Sequence, residues 1–157
     1  MTEFPESQLV HRSLTLREMD LPPSVKLTKR SLLRWWALSL GLISEKESRS
    51  MVLDVLDALF YFQYSKKIDP SVQEILKYVK EKSGKKTSQR LVCYHLNRLM
   101  EWNLIVLKGN KYYFNSAPSA ERKDLKATLQ HFVEKPMQEQ WKQVEEVSER
   151  LQNSYAK

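Results

Sequence analysis

A mostly α-helical fold carrying one small β-hairpin is what this sequence predicts, and three observations predict it. Glycine is scarce, 3 in 157 residues, while Leu, Lys and Glu, all strong helix formers, are plentiful. Between residues 28 and 102, apolar residues recur at helical spacing in segments separated by capping and breaking signals. Directly afterwards, "LIVLKGNKYYFN" reads as two short strands around Gly109-Asn110, a pair suited to the positive backbone angles of a tight turn. With 41% apolar and 10% aromatic residues, the chain can bury a real core and does not have a disordered composition. Its length fits one compact domain with appended helices rather than two full domains.

Residues 1–27 show no clear period and contain Pro5, Pro22 and Pro23, which predicts an irregular arm with at most a short apolar turn near Leu14 and Leu16. Thr28 is placed to cap a helix through "KRSLLRWWALSLG", with Gly41 as its stop. Leu32, Leu33, Trp35, Trp36, Leu38 and Leu40 leave this helix little polar face. Ser44 and Glu47 form a capping-box pair for a second helix reaching about Tyr64. That helix carries Val52, Leu53, Leu56, Leu59, Phe60 and Gln63 on one side and Val55, Ala58 and Phe62 on another, which predicts a central position.

Asp69-Pro70 reads as a third helix start, with Val72, Ile75, Leu76 and Val79 inward and Gly84 as the stop. Thr87 or Ser88 caps a fourth helix through Trp102, whose inner stripe is Val92, His95, Leu96, Leu99 and Trp102 or Asn103. The strands are expected at Leu104 to Lys108 and Lys111 to Asn115. Pro118 and Ser119 then lead into a helical tail with one stripe at Leu125, Leu129, Phe132 and Val133. A second stripe runs through Met137, Trp141, Val144, Val147 or Ser148, Leu151 and Tyr155, and Pro136 is expected to separate or kink the two pieces. The organisation is therefore an arm over 1–27, a domain over 28–118 with its core at 48–115, and a helical region over 119–157.

Several function classes find no support in these residues. A single cysteine, Cys93, allows no intramolecular disulfide, and His11, His95 and His131 lack metal-ligand spacing. Glycine-rich phosphate loops and nucleophile elbows are missing, so an enzyme is not expected and no cofactor or metal is implied. Asp54 and Asp57, three apart on one helix face, have no accompanying acceptor site and read as surface charges. His95 falls on an inner stripe, where packing outweighs acid-base chemistry, and Cys93 reads as a small half-buried filler. No signal-peptide pattern opens the sequence, and the greasiest stretches, 32–43 and 51–64, are broken by Arg34, Gly41, Asp54 and Asp57. A reducing cytoplasm is the expected compartment, with no membrane partner.

Charge is more informative. The chain carries +7, and between Lys77 and Lys111 nine Lys and Arg face two Glu, an excess equal to that of the whole chain. Such segregation suggests a polyanionic partner, since an ordinary solvated face mixes signs.

Helix, helix, glycine-containing turn, helix and hairpin follow one another over 48–115. In this setting "TSQRLVCYHLNRLMEWNLI" resembles the recognition-helix pattern of the winged helix-turn-helix superfamily. The shared features are a polar start, an inner aliphatic at Val92, the L-x-x-L of Leu96 and Leu99, and an exit at Leu104-Ile105 into the wing. Asn103 stands where that family usually has glycine, and asparagine tolerates the left-handed conformation needed there. The resemblance implies a transcriptional regulator, with residues 88–102 in the major groove of double-stranded DNA and residues 104–115 on the flanking groove or backbone. The tail is similar to the C-terminal helices that join MarR- and PadR-type regulators into homodimers, which implies a dimer body of residues 28–64 and 119–155. Two recognition helices would then lie about one DNA turn, roughly 34 Å, apart.

Independently of the resemblance, holding Val92, Leu96 and Leu99 inward turns Ser88, Gln89, Arg90, Tyr94 and Arg98 outward. Arg forks onto guanine and Gln onto adenine in a major groove. Thr87, Ser88 and the free N–H groups of a helix start suit a phosphate, with Lys85 and Lys86 just before them. Lys108, Asn110 and Lys111 sit at the hairpin tip, placed for a minor groove or its phosphates. Tyr94 either packs on the hairpin or reaches the duplex. Alternative readings are a winged-helix protein-interaction module within a transcription, replication or chromosome-maintenance complex, and an architectural protein coating DNA without sequence choice. For the tail the alternative is an intramolecular hairpin with the Trp-rich first helix, and for Trp35, Trp36 and Trp141 a ligand pocket rather than packing. No motif names a small-molecule effector.

Overall fold

The computed structural model describes residues 6–46, 50–84, 86–118, 120 and 124–157. The chain is mostly helical with one two-stranded antiparallel sheet. Four helices precede the sheet: α1 (Lys29–Ser39), α2 (Met51–Phe60), α3 (Val72–Ser83) and α4 (Gln89–Glu101). The hairpin is β1 (Ile105–Lys108) and β2 (Lys111–Phe114), and α5 (Leu125–Leu129) and α6 (Lys135–Tyr155) follow. Among the described residues no helix is long and apolar enough to cross a membrane.

Burial explains the arrangement. Val52, Leu53, Val55, Leu56, Ala58 and Leu59 are all buried, so α2 is enclosed on two faces, as its doubled apolar pattern predicts. Ile75 and Val79 of α3 and Val92, Leu96 and Leu99 of α4 close on it, and Ile105, Tyr112 and Phe114 of the hairpin complete the cluster. Each such large side chain contributes roughly 1.5–3 kcal/mol by leaving water. Phe60 links the layers, edge-on to Trp36 of α1 at 5.7 Å and tilted against Phe114 at 5.1 Å between ring centroids.

Helix boundaries differ from expectation where a better cap lies nearby. Thr28 caps α1 through Ser31 N–H, as expected. The second helix starts not from Ser44 but from Ser50, whose hydroxyl accepts from Val52 N–H directly before the apolar run; Glu47 lies outside the described residues. The third starts not at Asp69-Pro70 but at Ser71, where Ser71 and Glu74 satisfy each other's backbone donors in a capping box. Past Phe60 the chain continues through a π-helical stretch, Tyr61–Lys66, and stops at Lys67 with φ 59°.

Pro136 does not break the tail. α5 passes through a π-helical segment, Gln130–Glu134, directly into α6, and Lys135 N–H reaches back to Gln130 O. Pro136 has no N–H to bond Phe132 O, four residues back, and that carbonyl accepts from Arg12 instead. Residues 138–157 are exposed throughout, so the tail forms no hairpin with α1. The rings of Trp35, Trp36 and Trp141 do not stack on one another among the described contacts.

The arm contains short 3-10 turns at Glu6–Leu9 and Pro23–Leu27, and no turn forms at Leu14 and Leu16. Irregular backbone here is fixed by side chains. Arg17 donates to Leu38 O at 2.6 Å and Ile43 O at 2.7 Å, clamping the last turn of α1 to the loop that follows it. Arg12 donates to Trp102 O and Phe132 O. Trp35 Nε1–H donates to Asp20 O at 2.7 Å.

Candidate nucleic-acid interface

The turn between α3 and α4 sets the direction of the cationic helix. Gly84 takes φ +63°, reversing the chain as its N–H closes onto Lys80 O. Ser88 then caps α4, its hydroxyl accepting from Leu91 N–H at 3.2 Å and its carbonyl from Val92 N–H. The Thr87 hydroxyl is instead turned to Met51 Sδ at 3.8 Å. Thus Ser88 rather than Thr87 is the cap, and Thr87 is half-buried.

With Val92, His95, Leu96 and Leu99 buried, the opposite side of α4 meets solvent. Ser88, Gln89, Arg90 and Tyr94 are exposed and Arg98 half-buried, the outward set that the inner stripe predicts. Among the described residues no ion pair occupies Arg90, Arg98, Lys86 or Lys108. Lys85 lies outside the described residues. Tyr94 is 57% exposed and meets His95 edge-on at 5.2 Å. Asn97 is exposed as well, one turn from Tyr94 and two from Arg90. Its i+3 and i+7 spacing from them places it on the same outward face.

The hairpin is held beside this helix by its own geometry. Ile105 pairs with Phe114 and Lys108 with Lys111, while Gly109 and Asn110 take φ 56° and 64° at the tip. Asn103 takes φ 59°, so the left-handed exit expected of it is present. Tyr112 is buried near Cys93 of α4; burial first, and the thiol second, push its hydroxyl above the usual tyrosine range.

The outer edge of β2 would otherwise expose unpaired donors. Tyr112 N–H instead meets Pro70 O at 2.8 Å, and Phe114 N–H meets Gln63 Oε1 at 2.9 Å. Gln63 is fully buried, and its Nε2 donates to Ile68 O and Asp69 Oδ1, both at 2.9 Å. One amide therefore joins the end of the central helix, the entry to α3 and the hairpin. Gln63 was recognisable as an inward position, but nothing in the sequence named its distant partner.

Two lysines face each other at the hairpin tip, and one is neutralised. Lys111 Nζ lies 3.2 Å from Glu74 Oε1, while Lys108 is exposed. Hydrogen bonding from Ser71 N–H, followed by the Lys111 pairing, holds the Glu74 carboxyl below its usual range despite opposing desolvation. Under the hairpin an open groove of about 720 Å³ runs past Asp69, Lys108, Lys111 and Tyr113. Among the described residues no cluster of His, Cys, Asp or Glu suited to a metal ion is present. Comparison with family models, curated proteins and solved structures returns no match.

Proposed function

We propose that this chain is a cytoplasmic, sequence-specific regulator of transcription that binds double-stranded DNA through a winged helix-turn-helix, and that it acts by binding rather than catalysis. The observation that carries this reading is the exposed face of α4, where Ser88, Gln89, Arg90, Tyr94 and Arg98 stand on a buried aliphatic stripe. The packing of α4 on α2 and α3, with a hairpin directly after it, supports the same reading. α4 serves as the recognition helix, Arg90 and Gln89 addressing base edges and Arg98 the backbone. Lys86 and the free N–H groups of Gln89 and Arg90 supply phosphate contacts before and at the helix start. Lys108 and Asn110 carry the wing contact. Lys111 joins only by exchanging Glu74 for phosphate.

The decisive experiment is site selection from random duplexes, then fluorescence anisotropy on the selected site. Arg90→Ala with Arg98→Ala is expected to weaken binding at least tenfold while leaving the melting temperature unchanged, because a good bidentate base contact is worth about 1–3 kcal/mol. The logarithm of affinity should fall linearly with the logarithm of salt concentration as counterions are released. Unchanged affinity in the double variant would remove these side chains from the mechanism. Selection that returns binding without a motif would favour an architectural role.

A second reading has an observation in its favour. Leu91, Tyr94 and Leu107 are 40%, 57% and 46% exposed, and apolar groups of this kind suit docking to another protein within a larger assembly. Absence of duplex binding, with stable copurification in a complex, would select it.

A further inference from the structure

Asp54 and Asp57, which read from the sequence as surface charges, line a cleft between three helices. It measures about 510 Å³ and is walled by Lys29, Arg30 and Leu33 of α1, Asp54 and Asp57 of α2, and Lys82 of α3. Small-molecule sites span roughly 300–1,000 Å³, so the size suits a compact ligand. The Asp54 side chain is only 16% exposed and Asp57 is half-buried, which leaves both carboxylates poorly screened by water.

The charges of this cleft are only partly matched. Arg30 Nη1 lies 3.8 Å from Asp54 Oδ1, and that pair cancels itself. Asp57 accepts the Tyr78 hydroxyl on Oδ2 at 3.1 Å, which fixes its carboxylate. Lys82 Nζ rests 5.7 Å from the centroid of the Tyr78 ring. Among the described residues Asp57, Lys29 and Lys82 enter no ion pair, although they line the same cleft. They stand on three different helices of one packed core, which holds them beyond ion-pair distance.

We infer that this cleft binds a small amino acid with an acidic side chain, of the charge type of glutamate. The ammonium pairs with Asp57 Oδ1, and the two carboxylates pair with Lys29 and Lys82. Charge selects this class. Once Arg30 and Asp54 cancel, two cations and one anion are left, the mirror image of one ammonium and two carboxylates. A dicarboxylate without an amine meets repulsion from Asp57, and a simple amine meets it from two lysines. Leu33 offers the methylenes an apolar wall.

Calorimetric titration of the full chain without DNA tests this independently of the DNA-binding reading. L-glutamate is expected to bind with a dissociation constant of about 0.1–1 mM. Glutarate, lacking the ammonium, and L-glutamine, lacking one carboxylate, should each bind about tenfold more weakly. Asp57→Asn keeps an oxygen for Tyr78 and should weaken L-glutamate about tenfold while sparing glutarate. Lys29→Met with Lys82→Met should abolish binding of all three without lowering the melting temperature. Lys108→Met, on the hairpin, should change nothing. Three results would each overturn the proposal: glutarate as tight as L-glutamate, an L-glutamate affinity unmoved by Asp57→Asn, or neither heat nor amide chemical-shift change at about 10 mM L-glutamate.

Discussion

Replacing Gln63 by leucine keeps nearly the same volume and removes at least three hydrogen bonds, with Ile68 O, Asp69 Oδ1 and Phe114 N–H, whose losses are unequal. Ile68 is 44% exposed, so water can reach its carbonyl once the amide is gone, and Asp69, only half-buried, can also be hydrated. Phe114 is 1% exposed, so its N–H has no solvent to turn to. Leaving a buried donor without an acceptor costs about 1–3 kcal/mol. The other two bonds add about 1 kcal/mol each, and burial of the leucine returns about 2 kcal/mol, which leaves a net loss of about 2 kcal/mol. For a chain of this size that lowers the melting temperature by about 4–8 °C. Urea unfolding followed by circular dichroism gives the free energy, and amide exchange at Phe114 reports whether the hairpin loosens first. If Gln63→Leu proves as stable as the parent within about 0.5 kcal/mol, the claim that this amide ties the hairpin to the helices is wrong.

Gly41 adopts φ +71°, and a Cβ there would lie 2.6 Å from Thr15 Cβ; Gly41→Ala should therefore cost at least 2 kcal/mol in urea unfolding, about 1 of it from backbone strain. Gly41→Ala combined with Thr15→Gly should recover the steric part and leave the strain. Tyr78 donates to Asp57 Oδ2 at 3.1 Å, and burial, then the Asp57 charge, push its hydroxyl up to about 12. The folded chain holds this proton more tightly than the unfolded one, so the stabilisation is complete below pH 10 and fades as pH rises toward 12. Tyr78→Phe should remove about 1–2 kcal/mol of that alkaline loss, measured as the stability difference between pH 9 and pH 12.

How far the residues disclosed this arrangement depends on the range of each interaction. The buried stripe of α4, the two faces of α2 and the paired left-handed residues at the hairpin tip follow from spacing and turn chemistry, both local. Cap positions were less legible, because Ser44 and Ser50, or Asp69 and Ser71, offer the same hydroxyl or carboxyl chemistry a few residues apart. Only packing decides between them. Pro136 misled for a related reason: a π-helical segment just before it absorbs the mismatch, and backbone slack of that kind leaves no composition signature. The outward set on α4 follows from the same spacing, which places Asn97 with Arg90 and Tyr94. Contacts spanning the chain, such as Gln63 with Phe114 and Arg12 with Phe132, connect residues 51 and 120 positions apart, and no local pattern encodes them.

The straps that fasten the N-terminal arm set an order of assembly on the ribosome. Arg12 leaves the exit tunnel early, yet one of its acceptors, Phe132 O, is made 120 residues later. At synthesis rates of about 5–20 residues per second the arm waits roughly 6–24 s for that anchor. The Arg12 strap is therefore among the last contacts to close. A bulky fusion at the amino terminus would hinder that final step, whereas one at the carboxyl terminus would leave it free.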